Sequence, residues 1–117
     1  MKILVVDDEQ LVRWFLERAL KRWGHNVVST ATKDDALALM HDIDFDMLVT
    51  DLRMPAGNGA ELIEKVSILA KKPRIIVCSA YITNEMATDF HLQGICTLKK
   101  PFKLDELEKI LADCSPN

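Results

Sequence analysis

The sequence predicts an α/β fold around a mainly parallel sheet, and three observations carry that expectation. Five short apolar runs alternate with five stretches of helical period, the pattern of successive strand–helix–strand units. The first, third and fourth runs are apolar enough for strands buried on both faces, which places them at the centre of the sheet. Residues suited to starting or stopping helices (Thr32, Gly24, Gly94) stand at the edges of the periodic stretches.

The elements follow in order. Ile3 to Val6 is the first strand. Leu11, Val12, Phe15, Leu16, Ala19, Leu20 and Trp23 then recur at helical spacing, with Gly24 as the stop. Val27 to Thr30 is the second strand, and Thr32 can cap a second helix that runs through Leu37, Leu39 and Met40. Met47 to Thr50 is the third strand. The helix after it starts near Asn58-Gly59 and turns Leu62, Ile63, Val66 and Leu69 inward. Ile75 to Ser79 is the fourth strand, Asn84 to Leu92 a weaker helix ended by Gly94, and Ile95 to Leu98 the fifth strand. A last helix carries Leu104, Leu107, Ile110 and Leu111 toward the core.

At 117 residues, 49% of them hydrophobic, the chain suffices for one core and is short for two domains. One domain is expected over residues 1–114, with 115–117 a tail or the start of a linker. Fifteen basic against eighteen acidic residues leave a net charge of −3, which offers no electrostatic case for nucleic-acid binding or membrane-surface attachment by this domain. Charges break every apolar run and the N-terminus lacks a signal-peptide layout, so the expected compartment is the cytoplasm. Cys78, Cys96 and Cys114 are an odd count without CxxC spacing, which points to reduced, mostly buried thiols rather than a disulfide framework or a zinc site.

In an open parallel sheet, ligands bind beyond the carboxyl ends of the strands. There this chain collects Asp7-Asp8 after the first strand, Asp51 after the third, Ser79 at the end of the fourth and Lys99-Lys100-Pro101 after the fifth. Two like charges ~4 Å apart cost on the order of 4 kcal/mol at an effective dielectric of about 20, so such a cluster needs a cation or a proton. An all-oxygen set suits Mg²⁺, and a carboxylate can attack phosphorus when cations neutralise the developing charge. Asp51 is the candidate nucleophile. Asp7 and Asp8, with the backbone carbonyl of Arg53, are candidate metal ligands beside Asp51; Lys100 and Ser79 would meet the phosphoryl oxygens. Capping and solvated loop acids explain one such Asp but not three at converging strand ends. Lys99 is the ordinary surface lysine of its pair, and His25, His41 and His91 lack metal-ligand spacing and are expected in solvent.

Val5-Val6-Asp7-Asp8-Glu9, Asp51-Leu52-Arg53-Met54-Pro55 with Gly59, Ser79-Ala80 and Lys100-Pro101-Phe102 resemble the four ordered signatures of the CheY-like receiver domains of two-component response regulators. The resemblance covers essentially the whole chain. It implies a flavodoxin-like (βα)5 three-layer sandwich with strand order 2-1-3-4-5, a cis peptide before Pro101, and Mg²⁺-dependent phosphorylation of Asp51 by a sensor histidine kinase or phosphotransfer protein. It also implies a downstream output domain or effector protein, and dimerisation through the fourth and fifth helices as an open option. Arg53 and Tyr81 fall where members of the family influence hydrolysis of the phosphoryl group.

The chain departs from the pattern at Thr97, where such domains usually carry Tyr or Phe. That puts their usual aromatic switch in doubt and supports a rival reading, an inactive pseudo-receiver serving as a scaffold. Two other rivals fit less well. A flavin site would need Gly, Ser and Thr donors after the first strand, and an aspartyl-phosphate phosphatase would carry DxD and a cap segment. Trp14 lies off the first helix's apolar stripe and is expected to be at least partly exposed near the acidic mouth, as a docking contact or folded over its neighbours.

Overall fold

A computed structural model describes residues 1–54 and 57–114, with the backbone alone at 53, 54, 57 and 58. Five parallel strands, β1 (Lys2–Val6), β2 (Asn26–Thr30), β3 (Met47–Thr50), β4 (Arg74–Ser79) and β5 (Cys96–Lys99), form one sheet in spatial order 2-1-3-4-5. Five helices connect them: α1 (Gln10–Arg22), α2 (Lys33–Asp42), α3 (Gly59–Ser67), α4 (Asn84–Leu92) and α5 (Leu104–Cys114). The three apolar strands are the central ones, as expected for strands covered on both faces. Alternation along β1 sends Ile3 and Val5 into one core, with Leu16, Leu20, Leu107 and Leu111, and Leu4 and Val6 into the other, with Ala36, Leu62 and Val66.

Local chemistry sets the helix ends. The Thr32 hydroxyl accepts the Asp35 N–H at 3.2 Å and the Thr83 hydroxyl accepts the Met86 N–H at 3.1 Å, each satisfying a donor that the first helical turn leaves unpaired. Gly24 (φ 91°) and Gly94 (φ 78°) stop α1 and α4 in the left-handed region.

Four expectations need correction. Leu11 is 81% exposed and Phe15 lies on the rim of the core: a stripe of seven residues is wider than the face α1 presents to the sheet, which buries Leu16, Ala19 and Leu20. Leu104 likewise sits half out of the core at the start of α5. A short antiparallel ribbon pairs Arg53–Met54 with Gly57–Asn58 ahead of α3, where no strand was expected. The cysteines are not all thiols: Cys96 and Cys114 are joined, and Cys78 is free and buried. Spacing along the chain is blind to that pair because they lie 18 residues apart, on different elements. Ser115–Asn117 and Pro55 lie outside the described residues.

Candidate functional site

The sheet's backbone ladder places the site. It continues past the strand ends: the Asp7 N–H donates to Thr30 O (3.2 Å), the Asp51 N–H to Val6 O (3.1 Å) and the Lys100 N–H to Ser79 O (3.0 Å). Asp7, Asp51 and Lys100 are therefore fixed at the carboxyl edge of β1, β3 and β5, where a parallel sheet presents its side chains to a ligand. Gly59 opens α3 directly against this edge. A Cβ there would run into the Asp51 carbonyl and Leu52, so only glycine lets the helix begin so close to the end of β3.

The side chains converge. Lys100 Nζ donates to Asp7 Oδ2 at 2.7 Å, to Asp51 Oδ2 at 2.8 Å and to Glu9 Oε1 at 3.2 Å. Asp7 is 2% and Asp51 5% exposed. Asp8 stands further out, yet one carboxylate oxygen from each of Asp7, Asp8 and Asp51 lies within 4.8 Å of the others. The second oxygen of Asp7 accepts the Glu9 N–H at 2.9 Å, and Arg13 Nη1 donates to the Asp7 carbonyl at 2.6 Å. The peptide between Lys100 and Pro101 is cis.

Burial is the largest influence on Asp7 and holds its carboxyl above the ordinary range, although the Lys100 ammonium and the Glu9 amide pull the other way. Burial also opposes charge on Lys100. There the hydrogen bonds to Asp51 and Asp7 and the attraction of both carboxylates outweigh it and hold the ammonium above the usual lysine range. The site thus gathers several carboxylates around the Lys100 ammonium. An all-oxygen donor set at this spacing fits a hard divalent cation, which accepts a few carboxylates and keeps waters for its remaining positions.

Ser79 is fully buried at the end of β4, and its hydroxyl accepts the Tyr81 N–H at 3.2 Å. Burial pushes the thiol of Cys78, one residue earlier, up to about 12, so it is no nucleophile at neutral pH. Thr97 pairs with Val77 on β5 and is partly buried. The backbone of Arg53 belongs to the short ribbon that follows Asp51. Lys99 points to solvent, as do His41 and His91. His25, expected in solvent, is instead half-buried, its Nδ1 3.0 Å from the N-terminal amine.

Sequence reasoning missed the contacts of Glu9 with Lys100 and of Arg13 with Asp7. The one available signal was position: Glu9 directly follows the Asp pair, and Arg13 lies one helical turn further along α1. An apolar hollow lined by Leu11, Val12, Phe15, Ala80, Pro101 and Phe102 opens beside Lys100 and Glu9. Phe15 meets Phe102 edge-on, with ring centroids 5.8 Å apart. Trp14, 55% exposed, carries the Arg18 guanidinium 4.7 Å above its ring.

Comparison with known proteins agrees with this geometry. The profile of the response regulator receiver domain matches residues 3–112. The DNA-binding transcriptional regulator NtrC of Azospirillum brasilense is 36% identical over 110 residues, which are 93% of this chain and 23% of that protein. The Sporulation initiation phosphotransferase F of Bacillus subtilis is 27% identical, with 91% of this chain and 86% of that protein covered. Among solved structures, the chemotaxis response regulator CheY4 of Vibrio cholerae superposes with a TM-score of 0.87 at 27% identity, over 97% of both chains. The chain spans less than a quarter of NtrC and 16% of the Sensory/regulatory protein RpfC of Xanthomonas campestris pv. campestris, to which it is 30% identical. With the profile, the sheet order and the acidic edge in agreement, the chain belongs to the response regulator receiver domain family and is a module of two-component phosphorelay signalling.

Proposed function

We propose that Asp51 is the phosphoacceptor of this receiver, in a Mg²⁺-dependent reaction with a sensor histidine kinase or a phosphotransfer protein as donor. The observation that carries the reading is the convergence of Asp7, Asp8 and Asp51 around the ammonium of Lys100. An Asp51 carboxylate oxygen attacks the phosphorus, a P–O bond to carboxylate oxygen forms, and the bond from phosphorus to the donor's nitrogen or oxygen breaks. The donor keeps the electron pair and takes up a proton. Lys100 sits where it can pair with the phosphoryl oxygens once they displace its contact to Asp51, and the Ser79 hydroxyl can donate to another. A cation held by Asp7, Asp8, Asp51 and the Arg53 carbonyl would neutralise charge on the transferring group. The domain is not an enzyme acting on other molecules: it assists its own phosphorylation and dephosphorylation. Arg53 and Tyr81 follow Asp51 and Ser79 by two residues each, and their size at these sequence positions would slow hydrolysis of the phosphoryl group.

The apolar hollow beside Lys100, with exposed Leu11 on its edge, would receive the phosphodonor protein, with the exposed Trp14 of the same helix as a further docking contact. No helix among the described residues is long and apolar enough to cross a membrane, and a cytoplasmic setting fits the reading. The receiver unit spans 1–114, and its output is a downstream domain, an effector protein or a second copy of the chain. Thr97 favours a second reading, a scaffold that no longer responds to phosphorylation.

One experiment tests the first reading. The protein is incubated with Mg²⁺ and acetyl phosphate, and the intact masses of wild type and Asp51→Asn are compared. An alkali-labile gain of one phosphoryl mass in wild type alone is expected. No gain in wild type, with Mg²⁺ binding shown separately, would point to a receiver that takes the group only from its kinase or to the scaffold.

A further inference from the structure

Cys96 lies on β5, the edge strand of the sheet, and Cys114 is the last residue of α5. Their Cα atoms are 6.5 Å apart, within the range a disulfide spans, and their sulfurs are joined. The two sides of the pair differ in access. Cys114 is 1% exposed in the core beneath α1 and α5, whereas Cys96 is only partly buried and packs against that core from the open edge. The fold has two apolar cores on opposite faces of the sheet, built mostly from aliphatic side chains, unlike the small domains that use disulfides in place of a core. Cys78 lies in the same core but is a free, buried thiol, so nothing suggests a general disulfide framework. A single bond beside two formed cores, with one of its two residues only partly buried, has the character of a responsive site rather than a scaffold.

We propose that Cys96 and Cys114 are a reversible thiol–disulfide site, oxidised by a low-molecular-weight disulfide or a disulfide oxidoreductase and opened by the corresponding thiols, which clasps the end of α5 to the edge strand. The Cys96 thiolate attacks one sulfur of the external disulfide. A mixed disulfide forms, the external S–S bond breaks, and the first thiolate leaves and takes up a proton. The Cys114 thiolate then attacks the Cys96 sulfur, the Cys96–Cys114 bond forms, and the second external thiolate leaves and is protonated. Overall, the protein dithiol is oxidised by two electrons and one external disulfide is reduced to two thiols. Opening follows the reverse course, and the external thiolate attacks the sulfur of Cys96 because that of Cys114 is shielded.

The covalent ring encloses Lys100, Pro101 and the whole of α5. At the same end of the helix, Arg74 Nε donates to the Cys114 carbonyl at 3.2 Å, a polar latch that remains when the sulfurs part. Reduction therefore loosens the last turn of α5 from the edge strand without unfolding the domain. The reversibility argument rests on the cytoplasmic setting proposed above, where thiols are normally kept reduced.

The test uses the whole chain with Cys78→Ser, so that one pair is read. The protein is equilibrated in glutathione buffers from fully oxidised to fully reduced, free thiols are blocked with N-ethylmaleimide, and the digested peptides are weighed. A two-electron transition from a Cys96–Cys114 crosslink to two blocked thiols is expected within the range of these buffers. Tm should fall by on the order of 10 °C across the same transition. Wild type under the same buffers checks that the Cys78 substitution does not create the result, and the added variant Cys114→Ser should show no redox-dependent Tm. Two blocked thiols in every buffer would overturn the pairing. A crosslink that survives the fully reduced buffer would overturn the reversibility. None of these readouts uses Asp51, so their failure leaves the phosphoacceptor reading untouched.

Discussion

At the scale of single residues, the site is a problem of surplus charge. Lys100 meets Asp7, Asp51 and Glu9 at once, and Asp8 adds a fourth carboxylate without a second ammonium among these contacts. Like charges within 4.8 Å repel by roughly 1–3 kcal/mol per pair for effective dielectrics between about 80 and 20. Relieving one such repulsion should stabilise the fold. Asp8→Asn is therefore expected to raise stability by roughly 1 kcal/mol or more in the absence of divalent metal. Saturating Mg²⁺ should stabilise wild type, by about 2.7 kcal/mol at a hundredfold excess over its Kd, and stabilise the variant much less. Urea titrations with and without Mg²⁺ check both halves; an Asp8→Asn protein less stable than wild type without metal would sink the argument. The acids themselves were legible because each directly follows an apolar run, where a strand must end. Their hold on Lys100 was only half legible: a proline context singled out Lys100 over Lys99, but a long flexible side chain does not announce in sequence that it will also reach Glu9. The Cys96–Cys114 pair was hidden for the same kind of reason, since only the fold brings an edge strand to the last turn of a helix.

At the scale of elements, the missing aromatic at Thr97 shifts attention to α4. That helix buries no residue completely: its Met86 and Phe90, and Ile82 just before it, pack only partly against the core, and its start is held by the Thr83 cap. It follows the loop in which the Ser79 hydroxyl accepts the Tyr81 N–H. If the Ser79 hydroxyl turns to a phosphoryl group on Asp51, that amide loses its partner and the loop must rearrange. The signal is then expected to leave the site through residues 80–86 rather than through Thr97. Phosphorylation should move the amide resonances of this segment, and unchanged shifts there would refute the route. Thr83→Ala should cost about 1 kcal/mol of cap energy, a roughly fivefold faster opening of 84–92 in hydrogen exchange with α5 unaffected. Element boundaries were largely legible for a physical reason: the caps and left-handed glycines that end these helices are local in sequence. How deeply a helix sinks was not, as Leu11 and Phe15 show, because the width of a buried face depends on what packs against it.

At the scale of the whole molecule, both cores hang on one sheet. Adjacent residues of β1 serve opposite faces, so loss of either core removes the support of strands that the other core needs. The domain should therefore unfold as one unit, although its two faces share few side chains. Leu20 and Leu62, each fully buried, anchor one face apiece. Truncation to alanine should cost about 2–5 kcal/mol in either case, a large part of the roughly 5–15 kcal/mol typical of a domain. The two probes of unfolding are unevenly placed. Trp14 and Trp23 both sit at the α1 side, with Trp23 packed against the core that contains Leu20, whereas far-UV circular dichroism reports every helix. If the sheet couples the faces, Leu62→Ala must lower the urea midpoint seen by tryptophan fluorescence as much as the one seen by circular dichroism, despite the distance of Leu62 from both rings in the fold. A Leu62→Ala protein whose fluorescence midpoint stays at the wild-type value while its helical signal melts early would show that the α2–α3 face can detach alone. Such a result would recast the receiver as two weakly linked layers rather than one cooperative switch.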